Sequence, residues 1–351
     1  MGGRVGVAVA ALLMAAGLQT SQRAAASSSG DGPVAPRRLA ETGLYDPQRP
    51  GVVASGNRPF SPQYPLWSDG AVKARWVYLP PGAAIDAACA DWAFQVGTRF
   101  WKEFRINGRK VETRLLWRAS MARWIMASYI WNEEGTDAVL APEEGVPAAA
   151  EIAAGRQHAI PSGAECAACH GTARVGPLGF NPLQLSTDRD PNAIHGEPLA
   201  PDMLTLKTLV DEGRILPAPA LLVASPPRIA TANPRTRAVL GYLSTNCGSC
   251  HDGSDGISAR TPSLRYGDLL DDGDAVARSL VGHASSWQVP GRPEGSSVLL
   301  DPESPEWSAV LVRMRSRRPS SQMPPLGTVI RDQEAVDAIA EWIATDLAPP
   351  R

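Results

Sequence analysis

The sequence is poor in cysteine and histidine, with five of each in 351 residues. An odd number of cysteines fits a pure disulfide framework badly. No excess of positive charge is present, since the formal net charge is −2. That disfavours nucleic-acid binding. Long apolar runs are missing too. The longest, residues 5–18, has 14 residues, whereas a membrane span needs about 20. No Ser-His-Asp arrangement and no phosphate loop stand out in the sequence. What remains is of ordinary globular composition, 44% hydrophobic and 20% charged, and the length suggests two or three domains.

The short apolar run follows Arg4 and leads to Ala24-Ala25-Ala26. A cationic start, an apolar core too short to span and a small-residue exit describe a secretory signal peptide over 1–26, cleaved near Ala26. The mature protein is therefore expected to be periplasmic or secreted, with no transmembrane segment. Residues 27–43, rich in Ser, Gly, Pro and Arg, read as a flexible leader.

Residues 44–140 have a different character. Seven of the ten Trp lie between Trp67 and Trp131. Alternating, β-branched or aromatic stretches occur at 73–79, 98–106, 110–118 and 124–131, and Asn107-Gly108 between two of them is a strong hairpin signal. The expected fold class is α+β: an N-terminal antiparallel β-sandwich-like domain, followed by two mainly α-helical segments at 141–222 and 223–351. Residues 141–165, rich in Ala, Gly and Pro, read as a connector. Helical spacing is visible over 202–211. Asn233-Pro234 opens a clear helix, with Asn as N-cap and Pro in the first turn. A last helix starts near Asp332, with Val336, Ile339, Ala340, Ile343 and Leu347 on one face. Gly241 and Trp342 are expected where the first and last helices of this segment cross.

The scarce residues are concentrated. Four of the five Cys and two of the five His form Cys166-Ala167-Ala168-Cys169-His170 and Cys247-Gly248-Ser249-Cys250-His251. Both are C-x-x-C-H, the attachment signature of c-type haem. Each thiol adds to one porphyrin vinyl group, so the two must lie about one helical turn apart, and the adjacent His supplies the proximal iron ligand. Zinc bound by two C-x-x-C pairs would leave both His as coincidences. A redox dithiol would need a thioredoxin-like βαβ context that is not seen. Two covalently attached haems, bound by Cys166, Cys169, His170, Cys247, Cys250 and His251, are the expected cofactors. Cys89 is left as a small buried hydrophobe.

For the haem at His251, Met323 in Gln322-Met323-Pro324-Pro325-Leu326-Gly327 is the expected distal ligand. Met314, in a helical run, competes but reads as packing. For the haem at His170 the candidates are His195, then His158, then Met203. A bis-His haem would have the lower potential and the Met-ligated haem the higher, passing electrons from the first to the second.

The order helix, C-x-x-C-H, long loop, Met-Pro and terminal helix over 233–348 resembles class I cytochrome c. The whole chain resembles a family of exported dihaem cytochromes with an N-terminal β domain. The resemblance lies in Tyr64-Pro65-Leu66-Trp67-Ser68-Asp69-Gly70, Glu112-Thr113-Arg114-Leu115-Leu116, Tyr129-Ile130-Trp131-Asn132, Pro161-Ser162, Leu183-Gln184-Leu185 and the 322–327 loop. It implies haem binding and electron transfer to redox partner proteins, and it names no substrate. Two other function classes stay open: a dihaem enzyme, such as a peroxidase, with an open first haem, and a Trp-rich β domain that binds a carbohydrate or a protein. His283 is left without a role.

Overall fold

A computed structural model describes residues 1–2, 33–88, 91–170, 176–217, 221–254 and 261–348. The expected signal peptide from residue 3 on, residues 27–32 of the expected leader, Cys89 and the closing Pro349-Pro350 lie outside the described residues. Residues Pro33–Arg351 pack as one unit.

The β-rich region forms one antiparallel sheet. Its strands are β1 (Arg58–Pro59), β2 (Val72–Tyr78), β4 (Arg99–Ile106), β5 (Arg109–Ser120), β6 (Arg123–Trp131) and β7 (Ala138–Leu140), in the order β1-β2-β4-β5-β6-β7. The four long strands fall where alternation in the sequence places them. Asn107 and Gly108 both take positive φ, at 50° and 79°. That is the backbone a two-residue hairpin turn requires.

The sandwich is not formed. Besides this sheet, the described residues hold only two-stranded ribbons. In one, β3 (Ile85–Asp86) pairs in parallel with β10 (Ile215–Leu216). The other is a hairpin of β8 (Val146–Ala153) and β9 (Arg156–Ile160). This hairpin occupies the stretch expected to be a connector, where alanines hide the strand signal.

The reason for a single sheet lies in what covers it. One face packs Trp101, Leu115, Tyr129 and Trp131 against Leu39, Leu44 and Tyr45 of the preceding segment. On the other face Phe60, Val77 and Phe100 meet Phe180, Leu185, Leu204 and Leu209. Helix and loop thus take the place of a second sheet.

The helices are α1 (Gly163–His170), α2 (Leu206–Asp211), α3 (Leu221–Ala224), α4 (Pro234–Cys247), α5 (Tyr266–Leu280), α6 (Ala309–Arg315) and α7 (Gln333–Thr345). Asn233 caps α4 as expected, its side chain accepting from the amides of Arg235 and Thr236. The helix expected over 202–211 starts only at Leu206, because Thr205 is extended and caps it. Leu240, Leu269, Leu311, Val336, Ile339, Trp342 and Ile343 are fully buried together. Among the described residues no helix is long and apolar enough to cross a membrane.

The expected Gly241–Trp342 crossing is corrected. Gly241 faces the ring of Tyr64. Trp342 meets α4 one turn earlier, its indole N–H donating to Thr236 Oγ1 at 2.9 Å.

Candidate functional site

Each C-x-x-C-H sequence is positioned by local chemistry. Ser162 and Glu165 form a capping box at the start of α1. The Glu165 carboxylate accepts from the Ser162 amide at 2.9 Å, and Ser162 Oγ accepts from the Glu165 amide at 3.2 Å. Cys166 and Cys169 then sit one turn apart, half-buried, with His170 ending the helix. The second motif leaves α4. The amides of Cys250 and His251 both donate back to Cys247 O, at 3.0 and 2.9 Å. Gly248 is required there, since a Cβ would lie 2.6 Å from Leu264 O.

Both histidines are oriented through Nδ1. That atom lies 3.4 Å from Gly176 O in His170 and 2.9 Å from Thr261 Oγ1 in His251. No described residue hydrogen-bonds either Nε2. The Gly176 carbonyl can only accept, so His170 carries its proton on Nδ1 and offers the Nε2 lone pair; the Thr261 hydroxyl orients the His251 ring. Burial lowers the pKa of His170 to about 4, with Arg114 and Lys102 nearby adding to the effect. Burial also lowers His251. Both rings are therefore neutral near pH 7, as ligation requires.

The two motifs face one cavity of about 390 Å³, within the usual range of cofactor sites, about 300–1,000 Å³. Cys166, Cys169, His170, Cys247, Cys250, His251 and Met323 all line it. The four thiols are unpaired. Burial raises Cys247 to about 12. Burial and then the neighbouring Cys250 raise Cys169, so the two motifs are close enough to act on each other.

Among the described residues no three His, Cys, Asp or Glu side chains gather where a bare metal ion could be held. A haem brings four nitrogen ligands of its own and asks the chain for two thiols and one or two axial groups. The residues present fit that demand.

Met323 is held from both sides. Its amide donates to Arg313 O at 3.1 Å. Downstream, the amides of Val329 and Ile330 donate to the Asp69 carboxylate at 2.9 and 3.0 Å. Met314 also reaches the cavity wall, but it is a core residue of α6.

The three candidates for the other distal position are not brought to the cavity. His195 stacks on Trp67 with ring centroids 4.8 Å apart. Its Nε2 lies 2.9 Å from the Asp332 carboxylate and its Nδ1 lies 3.4 Å from Glu334. With both nitrogens engaged by carboxylates, His195 as an iron ligand is replaced by His195 as a latch between the 64–70 stretch and the start of α7. His158 is buried, with Nε2 3.1 Å from Glu112. Met203 does not line the wall.

In their place the sheet presents Arg75, Lys102, Arg114 and Met126. None of these was expected at the cavity from the sequence, although Arg114 lies in the Glu112–Leu116 stretch that carries the resemblance. Of the seven Trp between 67 and 131, none is exposed, and Trp92, Trp101 and Trp131 are core residues.

No family model, curated protein or solved structure was found that matches the chain.

Proposed function

We propose that the chain is an exported dihaem c-type cytochrome that holds two covalent haems side by side and transfers electrons between redox partner proteins. One observation supports this above all. Both C-x-x-C-H sequences open on a single cavity, each with its His tied at Nδ1 and, among the described residues, with no hydrogen bond at Nε2. Cys166 and Cys169 would anchor one haem, and Cys247 and Cys250 the other. His170 and His251 would be the proximal ligands, and Met323 the distal ligand opposite His251. Bound haem supplies reversible one-electron exchange at its iron.

The chain's own part is positional. The capping box holds the first thiol pair in helical spacing. The Gly176 carbonyl and the Thr261 hydroxyl fix the two rings. Apolar walls exclude water, which tunes an iron centre's potential. The segment 233–348, with the order of a class I cytochrome c, would form the second haem domain. The sheet roofs the first.

A dihaem enzyme is the second reading. It is favoured by the position of His158, His195 and Met203 off the cavity wall, which leaves the haem at His170 without the distal ligands expected for it. Met126 is the thioether the sheet offers there.

The mass of the chain expressed in an exporting host tests the proposal. The expected result is a chain heavier than its sequence by two haems, and a Cys250→Ser variant that loses one. A chain with no added mass overturns it. Spectra of the loaded protein separate the two readings. Two low-spin haems that bind no added ligand favour electron transfer, and a high-spin haem with rapid peroxide turnover favours the enzyme.

A further inference from the structure

The sheet's cavity face carries a line of like charges. Arg75 on β2 is the register partner of Lys102 on β4, and Lys102 is the partner of Arg114 on β5. All three line the cavity that holds both C-x-x-C-H motifs. Like charges directly opposite one another destabilise a sheet, so each needs a counter-charge.

Two of the three have one. Arg75 donates twice to Glu197, at 2.6 and 3.0 Å. Arg114 donates twice to Glu112, at 2.7 and 3.0 Å. Lys102, between them, has no hydrogen bond and no carboxylate among the described residues. Its ammonium lies over the ring of Phe104, 4.9 Å from the centroid, and Arg114 lies over that same ring. The neighbouring carboxylates are already used. Ser61 and Arg75 engage Glu197, and His158 and Arg114 engage Glu112. Lys73, the next cation along, is satisfied by Leu66 O at 2.9 Å.

We propose that Lys102, flanked by Arg75 and Arg114, is an anion site in the cavity wall that takes one carboxylate-class oxyanion. The proposal rests on the haem reading for what shares the cavity, and on the sheet alone for the site. Burial, Arg75, Lys73 and Arg114 all push the Lys102 ammonium well below the usual lysine range. An anion beside it removes that penalty. Lys102 and Arg114 are near enough to His170 to lower its basicity, so the anion would sit in the part of the cavity next to α1. Two sources share this chemistry: a propionate of the haem attached at α1, or a free small oxyanion.

The test uses the full haem-loaded chain and its Lys102→Gln, Lys102→Met and Lys102→Arg variants. The two haem potentials are read by spectroelectrochemical titration, and acetate binding by calorimetry. Loss of the cation should lower one potential in Lys102→Gln and Lys102→Met, and Lys102→Arg should restore it. That shift, with acetate silent in the wild type, identifies a propionate as the occupant. One-to-one acetate binding that Lys102→Gln abolishes identifies a free anion. Unchanged potentials together with no acetate binding to any form overturn the proposal. A chain that carries no haem overturns the functional reading instead, and acetate binding alone then decides the site.

Discussion

The aromatic ring of Tyr64 packs against the backbone of Gly241, so close that a Cβ there would clash with ring atoms Cδ1, Cε1 and Cζ. Tyr64 is buried, and its hydroxyl donates to Asp190 at 3.0 Å. Two residues in the last turn of α4 continue the contact. The Trp67 amide donates to Asn246 Oδ1 at 2.8 Å, and Gln184 Nε2 donates to Thr245 Oγ1 at 2.7 Å. The helix that delivers Cys247 is thus fixed by the segment that leads into the sheet.

Gly241→Ala is therefore expected to destabilise the protein. The ring cannot swing away without breaking its bond to Asp190. Overpacking a filled core costs about 1–3 kcal/mol, and urea unfolding measures it. Alanine has the better helix propensity, so an unchanged or raised stability would show that Gly241 and Tyr64 are not in contact.

The strands and the two motifs were legible because each has a local signature: alternation, Asn107-Gly108, and C-x-x-C-H. The cationic row was not, and the reason is a bulge. The two-residue turn alone would pair Lys102 with Thr113. The register shift between Phe104 and Arg105 inserts Val111 as an unpaired residue and brings Lys102 opposite Arg114 instead. One extra residue changes which charges share a row, and nothing in the sequence marks it. The role of His195 was hidden in a similar way. Its partners Asp332 and Glu334 lie far along the chain, and Trp67 lies just as far on the other side. The Gly241 contact also joins residues distant in sequence, and nothing local to α4 marks Tyr64, rather than Trp342 of the last helix, as the ring that meets it.

Met323→Leu conserves volume, and such exchanges cost under about 1.5 kcal/mol in stability. Its effect should be electronic. On the haem reading, one of the two haems loses its low-spin thioether ligation and its potential falls, within the ~0.8 V that axial ligands control. Met314→Leu should leave both potentials in place. Redox titration with low-temperature EPR reads the two variants. If Met314→Leu moves a potential and Met323→Leu does not, the ligand has been assigned to the wrong methionine.

His195→Ala separates a latch from a ligand. The Asp332 carboxylate accepts from Tyr242 at 2.9 Å and caps α7 through the Ala335 amide at 3.1 Å. Removing the imidazole leaves this nearly buried carboxylate short of one partner. The expected loss is about 1–3 kcal/mol, the range for hydrogen bonds to charged groups and for leaving one unmade. Haem spectra should not move. A change of spin state at unchanged stability would return His195 to the iron.

Acid should reveal the Glu112 cluster. Burial by itself would raise this carboxyl, but the Arg114 guanidinium and the His158 ring outweigh it and bring the pKa from 4.5 to about 2. Above about 4.5 the carboxyl is ionised whether the chain is folded or not, and the pair contributes its full stabilisation. As pH falls below that, the unfolded chain takes up a proton and the folded chain does not, so stability drops until the folded group protonates near 2. The slope per group is at most about 1.4 kcal/mol per pH unit, and the whole loss is on the order of 3 kcal/mol. Glu112→Gln should cost on the order of 3 kcal/mol at neutral pH, because it leaves the half-buried Arg114 without its counter-charge. The gap between wild type and variant should then narrow steadily between pH 4.5 and 2, since carboxylates common to both chains cancel in the difference. Urea unfolding at half-unit pH steps measures the gap. A constant gap across that window would mean that the fold does not hold Glu112 below its ordinary carboxyl range, and that its pairing with Arg114 and His158 does not stabilise the charge.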